Sequence, residues 1–268
     1  MNLDIISWLL LALALLSVWF RPISKLWGLL LALSLSIRMI EGKLLLAGLA
    51  LIIAWAILFH FYTRNKNRAL FLLIILLSFG FAFHLFPGFV PTEITPRFKL
   101  SIETSMLGLF PLALLVPLAK EGKQWRQVWK GLTFGCLGIA LMALLVLASG
   151  SLSLTFKLPS SPLIRFASNL ILVAIPEEAF YRGFVQRQIA KYLKNNKRGK
   201  AVALILSTLI FTLAHLYWAP SLTILSFVFL AGLLYGGVYL ISEKIESAIL
   251  CHFLLNFVHM TCFTYHAM

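Results

Sequence analysis

The sequence predicts an all-α polytopic membrane protein, a transmembrane helical bundle of about eight to ten spans. Three observations carry this. The 268 residues are 61% hydrophobic and only 12% charged, against about 25% charged in soluble domains. Mean hydropathy is +0.95. The apolar runs approach the ~20 residues that a helix needs to cross a bilayer. They are long and solid, not the short alternating segments of a membrane β-barrel.

The runs place spans at 4–20, 26–37, 44–63, 69–87, 104–119, 131–149, 164–182, 200–218, 221–241 and 248–265. The first lacks the basic leader and small-residue exit site of a cleavable signal, so it reads as a retained helix. The span at 26–37 is the shortest. Net charge is +14. In a soluble chain this would suggest nucleic acid, but here the positive-inside rule explains it and no nucleic-acid partner is expected. With the N-terminus outside, segments 21–25, 64–68, 120–130, 182–200 and 242–247 face the cytosol. They hold 17 of the 23 Lys and Arg residues; segments 38–43, 88–103 and 150–166 hold the other 6. The compact loops look bacterial, which gives a plasma-membrane localisation.

Three connecting stretches differ from the rest. Segment 88–103, with Pro91 and Pro96, reads as an ordered outer loop. Segment 120–130 interleaves basic residues with Trp125 and Trp129, as expected at lipid headgroups. Segment 183–200 spaces Val185, Ile189, Tyr192 and Leu193 as a helix does. It reads as an extension of the preceding span, lying on or leaving the cytosolic surface. Cys136, Cys251 and Cys262 form no C-x-x-C motif. Cys251 and Cys262 are separated by roughly 16 Å of helical rise, too far for a disulfide, so all three read as packing residues. Two parts follow: chemically bland N-terminal helices of unknown role (1–103) and a C-terminal part (104–268) that holds the unusual polar residues.

Those residues centre on Pro176-Glu177-Glu178-Ala179-Phe180-Tyr181-Arg182. The chain has nine acidic residues, and two stand side by side in a span. Ionisable groups cost ~2.5–3.5 kcal/mol each at that depth, so they normally line a cavity and have a function. Glu178 and Arg182 are i,i+4 and meet on one helix face, which offsets the cost of burying either alone. Glu177 is rotated by ~100° and is left for chemistry. Pro176 lacks a backbone donor and is expected to kink the helix before the pair. Two later spans carry Phe211-Thr-Leu-Ala-His215 and His252-Phe-Leu-Leu-Asn256; His252 and Asn256 are i,i+4 and project together. A single intramembrane histidine is commonly just hydrogen-bonded to a neighbouring helix, and His60, His84, His259 and His266 read mainly that way. His259 falls roughly on the His252 face. From the span ends, His252 lies near the cytosolic end of its helix and His215 near the outer end of its own. Tilt, shift or different helix bounds must bring them level.

EEAFYR fits EExxxR, FTLAH fits FxxxH and HFLLN fits HxxxN. In this order, on late membrane helices, the motifs resemble the CPBP family, which includes the type II CAAX prenyl endopeptidases and bacterial Abi proteins. The resemblance covers about residues 165 to 260. It implies an intramembrane glutamate endopeptidase acting on a membrane-associated protein or peptide. Glu177 and His215 would activate the attacking water, and His252 and Asn256 would stabilise the oxyanion. Glu178 and Arg182 would support the site, and no cofactor is needed. Three alternatives stay open. Glu177, His215 and His252 could hold Zn²⁺ with a water, although the H-E-x-x-H helix of common zinc peptidases is absent. The chain could be a non-enzymatic immunity or scaffold protein that keeps the fold. A proton-coupled transporter would also use intramembrane Glu and His, but no inverted repeat is visible.

Overall fold

The computed structural model describes residues 3–95, 98–150, 152–217, 219 and 221–265; Pro96 and His266 lie outside them. The chain is an all-α polytopic bundle, and it forms two compact units, Met1–Val116 and Pro117–Met268.

The first unit holds α1 (Leu3–Ser17), α2 (Trp27–Ile40), α3 (Leu46–Asn65) and α4 (Arg68–Ala82). Two short helices follow, α5 (Ile102–Leu107) and α6 (Leu109–Leu114). Serines let α1 and α2 approach, with Ser34 Oγ donating to the Ser7 carbonyl at 2.7 Å. Between α3 and α4, Lys66 adopts a left-handed φ of 48°. Asn67 Oδ1 then caps α4 by accepting from Ala69 N–H at 2.7 Å. Trp55, Phe59 and Phe81 are buried at the centre, with Trp55 and Phe81 edge to face. The expected outer loop is ordered as an antiparallel hairpin, β1 (Thr92–Thr95) and β2 (Phe98–Leu100). The span read at 104–119 is two short helices that end at Leu114. Pro117 cannot supply the backbone donor needed to carry them on.

This unit is not chemically bland. Asp4 is buried and accepts from Arg38 at 3.1 Å, Lys43 at 2.7 Å and Thr92 Oγ1 at 3.0 Å. Trp8 Nε1 donates to Thr92 Oγ1, and Arg38 Nη2 to the Val90 carbonyl. Arg38, assigned by sequence to an outer segment, is wholly buried. The network ties the hairpin to α1 and α2.

In the second unit α7 (Gly122–Ala148) is 27 residues long. The basic–aromatic segment 120–130 is therefore mostly the first turns of a helix. Gln124 Oε1 caps it by accepting from the Lys120 and Glu121 N–H groups, and Trp125 and Trp129 lie side by side. Farther along, exposed Phe134, Leu137, Leu141 and Leu144 give α7 an apolar face suited to lipid. On another face, a Cβ at Gly131 would lie 2.7 Å from Ser242 Cβ, and one at Gly135 2.8 Å from Cys251 Sγ. Cys251 is thus a packing residue, as expected. Then come β3 (Leu152–Leu154), a helical run from Pro162 to Tyr192, α11 (Lys197–Ala214), α12 (Leu222–Ser242) and α13 (Ile245–Cys262). Within that run α8 is Pro162–Ser168, α9 is Ile175–Glu178 and α10 is Arg187–Tyr192. The last span stops earlier than its hydropathy suggests, because β4 (Phe263–Tyr265) pairs antiparallel with β3.

Each span read from sequence has a helical counterpart. Among the described residues, four helices are long and apolar enough to cross a membrane: α3, α7, α12 and α13. Helices α1, α2 and α4 and the pair α5–α6 are apolar but shorter. The extension after Arg182 does continue as helix to Tyr192. Its first two turns are core, however, because Val185, Gln186 and Gln188 are buried.

Candidate active site

The Glu-Glu pair sits on α9, a single α-helical turn between two wider π-helical segments, Asn169–Ala174 and Ala179–Gln186. The expected disturbance before the pair takes the form of this widening. Pro176 removes one N–H donor from the helix ladder, and π-turns re-aim the side chains that follow them. A carbonyl inside the second π segment, that of Tyr181, accepts from Ser207 Oγ on α11 at 2.9 Å.

Glu178 is the buried anchor, with no solvent exposure. Its Oε2 lies 3.2 Å from Arg182 Nε, the expected i,i+4 pair. That contact is an ion pair rather than an aligned hydrogen bond, since neither atom meets hydrogen-bond geometry. Its Oε1 lies 2.8 Å from His252 Nδ1 on α13. Arg182 Nη2 donates to the Gly232 carbonyl at 3.0 Å. One turn later Gln186 Nε2 donates to the Gly236 carbonyl at 3.1 Å. Missing Cβ atoms on α12 make room here: one at Gly236 would lie 2.8 Å from Gln186 Oε1, and one at Gly232 3.0 Å from Thr208 Cγ2 on α11. The guanidinium carbon stands 4.5 Å from the Phe211 ring centroid and 5.4 Å from that of Tyr235. Desolvated cation–π contacts of this kind offset part of the burial cost.

Glu177 faces elsewhere, as its rotation predicts, and its side chain is 29% exposed. Its Oε2 makes no hydrogen bond and stands 4.0 Å from His215 Nε2. His215 caps the end of α11, and its Nδ1 is 2.7 Å from the Phe211 carbonyl. A carbonyl can only accept, so Nδ1 carries the proton, and in the neutral ring Nε2 is an acceptor. Two acceptors therefore oppose each other across the 4.0 Å gap.

The Phe211 ring joins the two halves. His215 is 4.2 Å from it, Tyr181 5.1 Å and His252 6.4 Å, centroid to centroid. The difference in depth expected between the histidines comes from the helix bounds. Helix α13 begins at Ile245, so His252 is well inside it and packs beside the end of α11. Tyr235 stacks on the His252 ring at 4.5 Å with an interplanar angle of 11°. Asn256, one turn beyond His252, donates from Nδ2 to Asn169 Oδ1 at 3.4 Å. Sequence reasoning missed Asn169 and Tyr235. Asn169 did leave a signal, as the carboxamide within the uncharged run before the pair. The other histidines have ordinary partners or positions: His60 bonds Arg64, His84 pairs with Glu103 at 2.7 Å, and His259 is half-buried near the end of α13. Among the described residues, no three His, Cys, Asp or Glu side chains are grouped as metal ligands.

Residues 159–258 match the family model described as Type II CAAX prenyl endopeptidase Rce1-like. No curated protein and no solved structure matches the chain. The matched segment contains all three motifs and every residue of the cluster just described. It bears out the resemblance that the motifs carried. Over residues 159–258, then, this integral membrane protein is similar to the Rce1-like type II CAAX prenyl endopeptidases, a protease family.

Proposed function

We propose that the protein is an intramembrane endopeptidase in which Glu177 and His215 activate water against a peptide bond of a membrane-associated protein or peptide. The opposition of Glu177 Oε2 and His215 Nε2 at 4.0 Å supports this reading most directly. The gap is too long for a hydrogen bond and suits a bridging water. A water donating one hydrogen to each acceptor turns its lone pairs outward, toward a substrate carbonyl. Glu177 takes the proton as the water oxygen bonds to the carbonyl carbon, in the manner of a general base. When the tetrahedral intermediate collapses and the C–N bond breaks, Glu177 returns that proton to the leaving amine.

His252 Nε2 and Asn256 Nδ2 supply the oxyanion donors in this scheme. Glu178 holds His252 through Nδ1, so Nε2 donates only when the ring carries both protons or when Glu178 supplies the Nδ1 proton. Arg182, fixed by Gly232 and the aromatic rings, keeps Glu178 in place. The basic asymmetry further supports an N-terminus outside the membrane.

The test is proteolysis by the purified protein of a panel of prenylated and unprenylated membrane peptides, with Glu177→Ala as control. Cleavage by the parent and its loss in the variant are expected, with chelators leaving the rate unchanged. Equal cleavage by Glu177→Ala would move the chemistry away from this site. Loss with a chelator and recovery on adding Zn²⁺ would favour the zinc form of the same site. A folded parent that cleaves no peptide would favour the scaffold reading.

A further inference from the structure

We propose that Asn169 is a positioning residue that sets which end of the Asn256 carboxamide faces the substrate. This rests on the peptidase reading above. The oxygen and nitrogen ends of a carboxamide are nearly equal in size and opposite in hydrogen-bonding character. An oxyanion needs the Nδ2 end. Turned over, Asn256 would present its own oxygen to the developing negative charge and oppose the reaction.

Asn256 sits within the apolar helix α13, and among the described residues no backbone carbonyl of that helix accepts from its Nδ2. The contact that chooses between the two ends comes from another element. Asn169 Oδ1 accepts from Asn256 Nδ2 at 3.4 Å. That engages one Nδ2 hydrogen and leaves the second for substrate. The bond is long for N–H···O, so it contributes little to holding the helices together. Its effect is on orientation. Asn169 is also only 8% exposed, and burying a carboxamide in an apolar setting costs free energy that an apolar residue would not. Its position fits the role. It opens the π-helical segment that precedes Glu177, so the same widened turns that aim the glutamate carry the residue that aims the oxyanion donor.

The experiment measures kcat and KM on the peptide cleaved fastest in the panel, for the parent, Asn169→Leu, Asn256→Ala, the double variant and Glu177→Gln. Asn169→Leu is close in size and lacks the acceptor. It should lower kcat by up to ~10²-fold, the scale of a misplaced catalytic group, with KM unchanged. In the Asn256→Ala background the same change should cost nothing further, because Asn169 acts only through Asn256. If Asn169→Leu fails to elute as a folded species, Asn169→Ala, which also lacks the acceptor, is read in the same way. Parent-like kcat, a change confined to KM, or a loss that repeats in full in the Asn256→Ala background overturns the proposal. Those results beside an inactive Glu177→Gln leave the peptidase reading standing. A Glu177→Gln variant as active as the parent overturns instead the assignment of the chemistry to this site.

Discussion

The two units each bury charged groups among apolar helices, but they complete them differently. In the first unit Asp4 is held by Arg38, Lys43 and Thr92, and Thr92 by Trp8. In the second, Glu178 is held by an ion pair with Arg182 and by His252. The residue beside it is not: Glu177 Oε2 has no hydrogen bond and faces an acceptor nitrogen 4.0 Å away. Burial of charge therefore does not mark a site. A paired cluster fastens helices together; in the proposed mechanism the reactive position is the carboxylate beside such a cluster, facing an acceptor nitrogen instead of a cation.

Mutations can break this comparison from either side. The largest effect is expected for Glu177→Gln, which keeps shape and removes the basic oxygen. Peptide cleavage should fall by ~10²–10⁴-fold while the melting temperature in detergent stays at the parent value. A large drop in melting temperature would place Glu177 with the structural pairs. Next come the two anchors. Asp4→Asn leaves the buried Arg38 without its counter-charge, and Glu178→Gln does the same to Arg182. Breaking one side of such a pair costs ~3–5 kcal/mol, to be read from denaturation curves. Only Glu178→Gln is expected also to lower the cleavage rate of the protein that remains folded. A Glu178→Gln variant that melts like the parent would count against the anchoring role.

A smaller loss, ~10²–10³-fold, is expected for Asn256→Ala, the value of one oxyanion donor, with little change in melting temperature. His215→Ala should cost at least as much, and it should be non-additive with Glu177→Gln because both act on one water. The mildest perturbation sharpens the topology. Cysteines placed at Lys123 and Lys197, both exposed, should label from the cytosolic side without loss of activity. Labelling of either from outside would reverse the proposed orientation.

Much of the C-terminal site was legible because it depends on spacing within one helix. The Glu178–Arg182 pair follows from an i,i+4 interval, and the divergence of Glu177 follows from a rotation of ~100° per residue. What escaped notice lies between helices. Asn169 is an unremarked amide until Asn256 meets it. Arg38 and Lys43 count as outer charges until Asp4 is found beneath them. The strands at 152–154 and 263–265 have no strong pattern of their own; they exist because each offers the other backbone partners at the end of α13.

By itself the sequence determined that the chain enters a membrane, where its apolar helices fall, and that three motifs in order carry its unusual polar groups. Those properties are set by composition and by the fixed geometry of a helix. Tertiary structure alone decided which polar groups meet. Glu178 and His252 are 74 residues apart and Asp4 and Thr92 are 88 apart. No local period encodes such meetings. They depend on how closely the helices pack, at Gly131 and Gly135 against Ser242 and Cys251, and at Gly232 against Thr208 and Phe211. The free energy of burying an unpaired charge then leaves few arrangements other than the one in which these partners find each other.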